Sequence, residues 1–435
     1  MNIEEENLET YFLIWLDNST ANIQKKQRTQ TELQSSIHYL KIFCDEEQCE
    51  NYIQSLTNDD RSIFIVNAQL GKNFIPRIHQ LPQITSIYVI CVDKNQVCAI
   101  TVQLYTKYFN YENIQIKCLV SQYDELISKV EHDQERRIKA KIDEPLSISI
   151  LDENLTNIIN NNFQECSTTI DNDFTYSYSL VNCLVKMKSF YSEQKQLIKL
   201  CENIYKENSS ELLILEEFRK KYSSLNSLSW LTRNSFIHRL INKAIRMKNF
   251  RILFLSRFYF QDIYQELQKH KCFKTIRVYR SYHLSKNQLN LFENSIGKII
   301  SINSFFLTNL SRRQSMSYFK DSILNDDHHS ILFEIDADPR LNDIQPFANI
   351  TSLSYSIGEQ IVLFMSGSLF RIINIQHDNN SFVSIIQLKL CSQNEQDLNI
   401  LKLSDQFDFI SFGQLIIDRK KFDQAQIYYN YLIPQ

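Results

Sequence analysis

The stretch GEQIVLFMSGSLFRI, Gly358–Ile372, opens with one acidic residue, Glu359, and then becomes almost wholly apolar. Its β-branched and aromatic residues are typical of a buried strand. A strand that enters an active site often carries a catalytic carboxylate near its start. Side chains two residues apart in a strand point to the same face, so Glu359 and Ile361 share a face. One of these two residues therefore stands at the position where such a carboxylate is expected.

The sequence around this stretch, residues 274–390, is rich in predicted strands that alternate with short helical segments. It lacks a regular β–α–β rhythm, so we expect a mixed α+β domain. We place this domain at residues 180–392, because a helical stretch with apolar residues at three- and four-residue spacing precedes the strands. The predicted strands are TIRVYRSYHL, GKIISINSFFLTNL, HSILFEIDA, the opening stretch and SFVSIIQLKL.

The N-terminal region, residues 10–141, alternates short apolar runs with helical segments. Five such runs predict a parallel, doubly wound α/β sheet of the flavodoxin or receiver type. Ligands of such sheets bind at the carboxyl ends of the strands, where Asp17, Asp45 and Asp93 lie. These residues form either an acidic pocket or helix caps, and the preference of Asp for cap positions favours the caps. The runs are YFLIWLD, YLKIFCD, SIFIVNA, SIYVICVD and NIQIKCLV.

The composition is that of an ordinary globular protein. A chain of 435 residues with 43% hydrophobic and 22% charged residues predicts two to four domains. The net charge of −3 argues against a nucleic-acid partner. The sequence has no apolar run of about 18 residues, as a membrane span would need, and residues 1–9, which we expect to be a flexible terminus, are too polar for a signal peptide. We therefore expect a cytoplasmic protein that binds neither nucleic acid nor membrane.

The positions of the glycines and cysteines limit the kinds of ligand site that the chain can form. The five glycines include no GxGxxG or GxxxxGK[ST] spacing, so a glycine cradle for phosphates is excluded and any dinucleotide must be held by side chains. The ten cysteines stand apart in apolar settings without a CxxC pair, which predicts buried free thiols. The nine histidines form no HExxH motif, and we expect no metal site.

Two further segments flank the mixed domain. Residues 142–179 are polar and Asn-rich, which predicts a linker with little core. Residues 393–435 predict a helical hairpin that resembles a single tetratricopeptide repeat, with Gly413 and Ala425 at its small-residue positions. One repeat cannot bury its own face. The hairpin is therefore expected to be a docked cap or the end of a longer array, and a surface for a protein partner.

Three motifs follow one another in the mixed domain: VYRSYHLS (Val278–Ser285), NSFFLTNLSRRQSMSYF (Asn303–Phe319) and the opening stretch. In order and approximate spacing they resemble the motifs of the arginine-specific mono-ADP-ribosyltransferases of the Arg–Ser–Glu class. That class has a strand ending in Tyr-Arg-Gly, then Ser-Phe-x-Ser-Thr-Ser, then Glu-x-Glu followed by Val-Leu-Phe. The flanks WLTRNSFIHRLINKAIR and PFANITSLSYS match as well, and the resemblance covers about half of the chain.

The resemblance implies a split mixed sheet with a cleft that binds NAD as a substrate. It implies that Arg280 anchors the dinucleotide, with Ser304 and Thr308 at further cofactor-binding positions. In the family, the nicotinamide–ribose bond breaks through an oxocarbenium-like transition state, which needs a nearby Glu that the first Ser of Ser-Thr-Ser orients. Glu359 matches the first Glu of Glu-x-Glu, which holds the arginine of the protein acceptor.

The chain departs from the family pattern at two positions. The catalytic Glu position is Ile361, and the orienting Ser position is Leu307, so that only Thr308 remains of Ser-Thr-Ser. The two losses are coherent, because a hydroxyl that orients a carboxylate has no purpose without it and costs about 1–3 kcal/mol when buried unpaired. The residues therefore imply a transferase that is impaired or inactive, or a pseudoenzyme that acts as an NAD-binding or protein-interaction scaffold.

Other assignments stay open. A two-residue slip of the alignment would bring the first Glu to the catalytic place, and Glu334 or Asp336 would otherwise have to supply the carboxylate from the neighbouring strand. Arg280 is alternatively an edge-strand arginine in a salt bridge, Glu359 a solvated residue at the start of a strand, and the Thr308 hydroxyl a donor to the backbone. Tyr355, before the last motif strand, either faces an acceptor protein or packs.

Overall fold

The computed structural model divides the chain into two compact units. The first unit comprises Met1–Pro145, Glu202–Ile214 and Lys320–His328, and the second comprises Leu146–Cys201, Leu215–Phe319 and His329–Gln435. The structure describes residues 9, 11–19, 23–56, 60–79, 81, 83–90, 116–120, 122–140, 147–151, 171–206, 208–233, 235–321, 328–355, 358–378, 383–392, 409–418 and 422–432.

The first unit contains a parallel sheet whose described strands follow the order β2-β1-β3-β4-β5. Each of the neighbouring pairs in this order is parallel. The strand order reverses between β1 and β3, as in other doubly wound sheets. The predicted doubly wound parallel sheet is therefore confirmed. Its strands are β1 (Tyr11–Leu16), β2 (Leu40–Phe43), β3 (Arg61–Asn67), β4 (Ile84–Ile90) and β5 (Ile116–Val120).

Alternate side chains of β1 enter two separate apolar clusters. Leu16 belongs to a cluster with Phe64 and Phe74, whereas Trp15 belongs to a cluster with Leu126. Because both faces of the sheet are covered, its strands read as nearly continuous apolar runs rather than as alternating ones. The helices of this unit that follow its strands are α1 (Ile23–Ser36), α2 (Glu46–Ser55), α3 (Ala68–Ile78) and α4 (Tyr123–Ala140).

Two of the three strand-end aspartates stabilise the segments that follow them. Asp45 is the N-cap of α2 and accepts a hydrogen bond of 2.8 Å from the backbone N–H of Gln48. Asp17 is buried and pairs with the Lys26 ammonium group at 3.1 Å. Asp93 lies outside the described residues. The capping role is thus confirmed for Asp45.

Between β6 (Ile148–Ile150) and β7 (Ile276–Ser285) the described chain is helical. Helix α9 ends where Lys248 takes a left-handed conformation, with φ of 51°, and Asn249 then caps α10 by accepting the Ile252 N–H at 3.2 Å. Both are common ways for a short polar linker to separate two helices. The helices are α5 (Asp171–Lys186), α6 (Tyr191–Ile204), α7 (Ser209–Lys221), α8 (Ser227–Thr232), α9 (Phe236–Met247), α10 (Phe250–Leu255) and α11 (Arg257–Lys269).

The second unit contains a mixed sheet whose described strands follow the order β11-β12-β9-β7-β10-β14-β13-β8-β6. The pair β10–β14 is parallel, whereas β12–β9 and β13–β14 are antiparallel. This mixed sheet confirms the predicted α+β class. Its strands are β6 (Ile148–Ile150), β7 (Ile276–Ser285), β8 (Ile299–Ile302), β9 (Phe306–Asn309), β10 (His328–Ala337), β11 (Phe347–Asn349), β12 (Ile361–Phe364), β13 (Ser368–Asp378) and β14 (Val383–Leu390), with α12 (Lys286–Glu293) and α13 (Arg312–Ser317) between them.

The stretch Gly358–Ile372 forms parts of two strands rather than one. β12 lies between β11 and β9, whereas β13 lies between β14 and β8. The chain turns between them, where the N–H of Ser368 donates to the carbonyl of Met365 at 3.2 Å. Gly367 has a φ of +81° in this turn, a conformation that glycine adopts without steric cost. The Ser-Gly dipeptide is the sequence signal for the turn.

Aromatic side chains fix β12 in the interior of the second unit. Phe364 stacks on Phe347 of β11 with ring centroids 4.9 Å apart and meets Phe370 of β13 edge-on at 5.4 Å. Burying a side chain of this size contributes about 1.5–3 kcal/mol. Phe306 of β9 belongs to the same cluster. The apolar half of the opening stretch therefore builds the core on which the site strands rest.

Two parts of the segment expected to be a linker form regular structure. Strand β6 pairs antiparallel with β8, and Ile148 and Ile150 pack against the core of the mixed sheet. Helix α5 begins at Asp171, and residues 152–170 lie outside the described residues. The Ser-Ile alternation at 147–150 is a short strand signal within an otherwise polar segment.

The C-terminal hairpin consists of α14 (Phe409–Asp418) and α15 (Phe422–Leu432). Phe412 and Tyr428 lie 5.1 Å apart between ring centroids, and Tyr428 also lies 5.1 Å from Phe254 of α10. The hairpin is thus docked on a helix of its own unit. No described helix is both long enough and apolar enough to span a membrane.

Candidate functional site

The three motif strands lie side by side in the order β12-β9-β7. In the pair β12–β9, Ile361 lies opposite Asn309 and Leu363 lies opposite Leu307. Asn309 also lies opposite Tyr279 of β7. Side chains that oppose each other across neighbouring strands share a face. Tyr279, Asn309 and Ile361 therefore form one row across three strands.

Ile361 and Leu307 lie on this same face, as their spacing along the strands requires. Ile361 is only 4% exposed, and its backbone is held on both sides. Its N–H donates to the Thr351 hydroxyl at 3.1 Å, and its carbonyl accepts the N–H of Ile350 at 2.9 Å. The face thus carries aliphatic groups, the buried Ile361 and the half-buried Leu307, at the two positions where the motif has its Glu and its first Ser.

Asn309, opposite Ile361, is engaged by the turn that follows β9. Its side-chain oxygen accepts the N–H of Ser311 at 2.7 Å, and its amide donates to Gln314 Oε1 at 3.0 Å. Ser311 in turn caps α13 by accepting the Gln314 N–H at 3.2 Å. The residue at the last position of Ser-Thr-Ser therefore stabilises the turn that leads into α13, and its side-chain oxygen and amide both bond its own chain.

Thr308 and Ser304, both predicted to bind the cofactor, have different surroundings. The Thr308 hydroxyl donates to the carbonyl of Val362 at 2.9 Å, so it bonds the backbone of β12. Ser304 is only 3% exposed, and its hydroxyl has no hydrogen-bond partner within the described part of the chain. Because a buried unpaired hydroxyl is costly, Ser304 offers a donor and acceptor that a bound ligand would satisfy.

Glu359 lies beside Tyr318 and Arg280. The Tyr318 hydroxyl donates to Glu359 Oε1 at 3.0 Å. Burial raises the pKa of Tyr318, the Glu359 carboxylate raises it further, and the positive charge of Arg280 opposes both. Arg280 itself is only 5% exposed. The structure thus joins one predicted site residue, Glu359, to Tyr318 by a hydrogen bond, and the charge of another, Arg280, acts on the same phenol through space.

The segment between β11 and β12 is anchored to the end of α8. The N–H of Tyr355 donates to the Thr232 hydroxyl at 2.8 Å. The Arg233 guanidinium lies 5.3 Å from the centroid of the Tyr355 ring and 4.9 Å from that of Trp230. Tyr355 nevertheless remains 58% exposed. It packs against Arg233 and also presents an accessible aromatic edge near the start of β12.

The carboxylates of the neighbouring strand pair with a different arginine. Arg277 of β7 donates to both oxygens of Asp336, at 2.6 and 2.7 Å, and lies 3.8 Å from Glu334 Oε1. The hydrogen bond to Asp336 raises the pKa of Arg277. Asp336 is therefore committed to an ion pair on the strand surface, and neither residue is brought to Ile361 by any contact of the described chain.

Tyr318 and Asn309 are the residues that sequence reasoning missed. Tyr318 is separated from Glu359 by 41 residues, so no local pattern links them. One signal was available, because Ser311 with Gln314 three positions later is a typical helix start. A helix starting there places Tyr318 just beyond its last turn and above β9.

Comparisons with known proteins give matches among solved structures only. No family model and no curated protein matches the chain. An ADP-ribosyltransferase from Clostridium botulinum shares 16% identity with a TM-score of 0.30 over 40% of this chain and 91% of that chain. The ADP-ribosyltransferase HopU1 of Pseudomonas syringae pv. Tomato DC3000 shares 12% with a TM-score of 0.31 over 52% and 98%.

A third solved structure contains a nicotinamide dinucleotide analogue. Exoenzyme S from Pseudomonas aeruginosa, in complex with human 14-3-3 protein beta and bound to carba-NAD, shares 12% identity with a TM-score of 0.30. The match covers 53% of this chain and 99% of that chain. Each of the three structures is thus covered almost completely, whereas about half of this chain or less is matched.

Proposed function

We propose that this protein is an NAD-dependent protein-arginine ADP-ribosyltransferase whose transfer step is impaired. The observation that carries the proposal is the arrangement at the start of β12. There the Tyr318 hydroxyl donates to Glu359 and the charge of Arg280 acts on the same phenol, whereas Ile361 and Leu307 put aliphatic side chains where the motif has its Glu and Ser. The groups that recognise substrates are kept, and the pair that stabilises the transition state is lost.

The kept residues fit NAD. A largely buried guanidinium such as Arg280 matches the charge and geometry of a diphosphate. The hydroxyl of Ser304 supplies a hydrogen-bonding group that its own chain does not use. Side chains must do this work, because none of the five glycines is spaced to form a phosphate cradle.

In the proposed reaction the bond between C1′ of the ribose and the nicotinamide nitrogen breaks, and its electron pair leaves with nicotinamide. The ribose ring carries positive charge until a guanidinium nitrogen of the acceptor arginine bonds to C1′ and releases its proton to solvent. Losing one oriented electrostatic group at such a charge slows turnover by about 100- to 1000-fold. Ile361 provides no charge, so we expect slow transfer.

The impairment is tested by restoring the motif. The variant Ile361→Glu with Leu307→Ser is expected to release nicotinamide from NAD about 100-fold faster than the wild type. The matched control, Ile361→Gln with Leu307→Ser, changes size and polarity in the same way without adding the charge. If the restored variant keeps its circular-dichroism spectrum and melting temperature but releases nicotinamide no faster than this control, the impairment argument is wrong.

Binding of NAD is tested separately by thermal shift. At 100 times its dissociation constant, a ligand that binds only the folded state stabilises it by about 2.7 kcal/mol. We expect NAD to raise the melting temperature of the wild type and to lose this effect in Arg280→Met. Arg312→Met is the control, because Arg312 is exposed on α13. The absence of any NAD-dependent shift in the wild type would contradict the proposed function.

The acceptor is tested with NAD that carries radiolabel in its adenylate group. The proposal predicts label on an arginine-rich protein in excess of that on a lysine-rich one, and most clearly with the restored variant. Equal labelling of both would contradict arginine as the acceptor.

A second candidate is a pseudoenzyme that binds NAD, or a protein partner, without turnover. The two aliphatic side chains at Ile361 and Leu307 favour it. It predicts that NAD raises the melting temperature of the wild type while no nicotinamide is released, and that only the restored variant turns over. A partner for the C-terminal hairpin remains a prediction.

A further inference from the structure

The second unit carries a hydroxyl–carboxylate pair close to the one that the motif has lost. Tyr318 donates its phenolic hydrogen to Glu359 Oε1 at 3.0 Å. Glu359 precedes Ile361, the first residue of β12, by two residues. The pair therefore stands just before β12, two residues along the chain from the position where the motif has its oriented carboxylate.

Both members of this pair are tethered to the motif strands. The hydroxyl of Ser315 in α13 donates to the carbonyl of Tyr279 at 3.3 Å. Tyr318 is the residue that directly follows this helix. On the other side, the carbonyl of Gln360 accepts the N–H of Leu310 at 3.0 Å. The backbone on each side of the hydrogen bond is thus fixed before any ligand arrives, which is what electrostatic stabilisation of a transition state requires.

The charges around the pair suit a dinucleotide substrate. The positive charge of Arg280, the residue proposed to bind the diphosphate, acts on the phenol of Tyr318. Burial and the neighbouring carboxylate raise the pKa of Tyr318, so the phenol stays protonated and remains a donor at neutral pH.

We propose that Glu359, held by Tyr318, supplies the carboxylate that Ile361 no longer provides. This inference rests on the proposed function. As the bond from C1′ to nicotinamide breaks and its electron pair leaves with nicotinamide, the carboxylate of Glu359 stabilises the positive ribose ring. Tyr318 is a positioning residue, which keeps one carboxylate oxygen fixed and so directs the other. The acceptor nitrogen then bonds to C1′ and loses its proton to solvent.

Steady-state release of nicotinamide by the full-length chain tests this inference. Glu359→Gln is expected to lower kcat about 100-fold and Tyr318→Phe about 10-fold. Both variants should leave the KM for NAD and the NAD-dependent thermal shift unchanged. The matched controls are Glu47→Gln and Tyr191→Phe, since both side chains are exposed. A purely structural role would instead lower the melting temperature and raise KM.

The restored variant gives a second readout. Once Ile361→Glu with Leu307→Ser has returned a carboxylate to the motif position, the reaction no longer depends on the substitute. Tyr318→Phe in that background is therefore expected to leave kcat within about twofold of the restored variant. A tenfold loss in both backgrounds would show that Tyr318 acts independently of the missing Glu, and would overturn the inference.

The outcomes separate this inference from the proposed function. Without any NAD-dependent thermal shift in the wild type, the proposed function fails and the inference fails with it. With a thermal shift but a kcat that neither Glu359→Gln nor Tyr318→Phe changes, only the inference fails. A thermal shift without detectable nicotinamide release also overturns it, because Glu359 then supplies no catalysis.

Discussion

At the residue scale, the guanidinium of Arg257 is a fully buried charge of the second unit. It donates to the carbonyls of Lys188 and Phe254 at 3.0 and 2.9 Å and pairs with Glu193, and both charged side chains are almost fully buried. The guanidinium also lies 3.8 Å from the centroid of the Phe254 ring. Such a site is stable only while each charge keeps its partners.

Removing one partner of this pair should therefore destabilise the second unit strongly. We expect Arg257→Met to cost about 3–5 kcal/mol, because it leaves Glu193 buried without its counter-charge. The double variant Arg257→Met with Glu193→Leu should recover much of that loss. Chemical denaturation measures both, and Arg28→Met, which breaks an exposed pair with Glu32, is the control. If the double variant is no more stable than the single one, the pair does not act as a unit.

Asp262 is a half-buried acid, and its effect on the stability of the fold depends on pH. Burial raises its pKa, while a hydrogen bond of 2.6 Å from the Tyr222 hydroxyl opposes that rise. A carboxyl whose folded pKa is raised holds its proton more tightly in the folded state than in the unfolded chain. Its contribution to stability is thus fully present below the unfolded value, about 3.9, and is lost as the pH rises through the folded value.

Asp262→Asn should remove this pH-dependent loss of stability, because the amide does not titrate. Its oxygen can still accept the hydrogen bond from the Tyr222 hydroxyl. We expect the variant to lose less stability than the wild type between about pH 4 and pH 7. Denaturation midpoints measured across that range check the prediction. Parallel curves for the two proteins would mean that Asp262 does not titrate differently on folding.

At the element scale, the C-terminal hairpin depends on one glycine. A Cβ at Gly413 would overlap the ring and hydroxyl of Tyr429, so the Tyr429 ring lies over position 413 only because that position has no side chain. Gly413→Ala should displace this ring at a cost of about 1–3 kcal/mol. The double variant Gly413→Ala with Tyr429→Leu should relieve this clash, and its melting temperature should be higher than that of Gly413→Ala alone. Equal melting of wild type and Gly413→Ala would contradict this packing.

An element can be predicted from the sequence when the pattern that specifies it lies within a few consecutive residues. The strands of the parallel sheet and β7 are predictable because apolar runs of four to eight residues need no distant information. The split of Gly358–Ile372 is signalled by Ser-Gly, although its apolar pattern predicts a single strand. By contrast, Tyr318 meets Glu359 across 41 residues, and Arg257 meets Glu193 across 64. Such contacts arise from tertiary packing, which no short pattern encodes.

At the scale of the whole molecule, each unit has apolar clusters of its own. The clusters around Phe64 and Trp15 belong to the first unit, and the cluster around Phe306 and Phe364 belongs to the second. The proposed NAD site, with Arg280 and its neighbours, is built from residues of the second unit. A ligand stabilises the folded state that binds it. The stabilisation by NAD should therefore be largest in the second unit.

Hydrogen exchange measured with and without NAD should therefore distinguish the units. We expect the backbone amides of β7, β9 and β12 to exchange more slowly in the presence of NAD. At an NAD concentration of 100 times the dissociation constant, the free energy of opening should rise by up to about 2.7 kcal/mol. The strands β1 and β3 should exchange at unchanged rates, because amides report the opening of their own cooperative unit. Arg280→Met, which should no longer bind NAD, is the control. Equal protection in both sheets would mean that the two units open as one, and the site would then be coupled to the first unit as well.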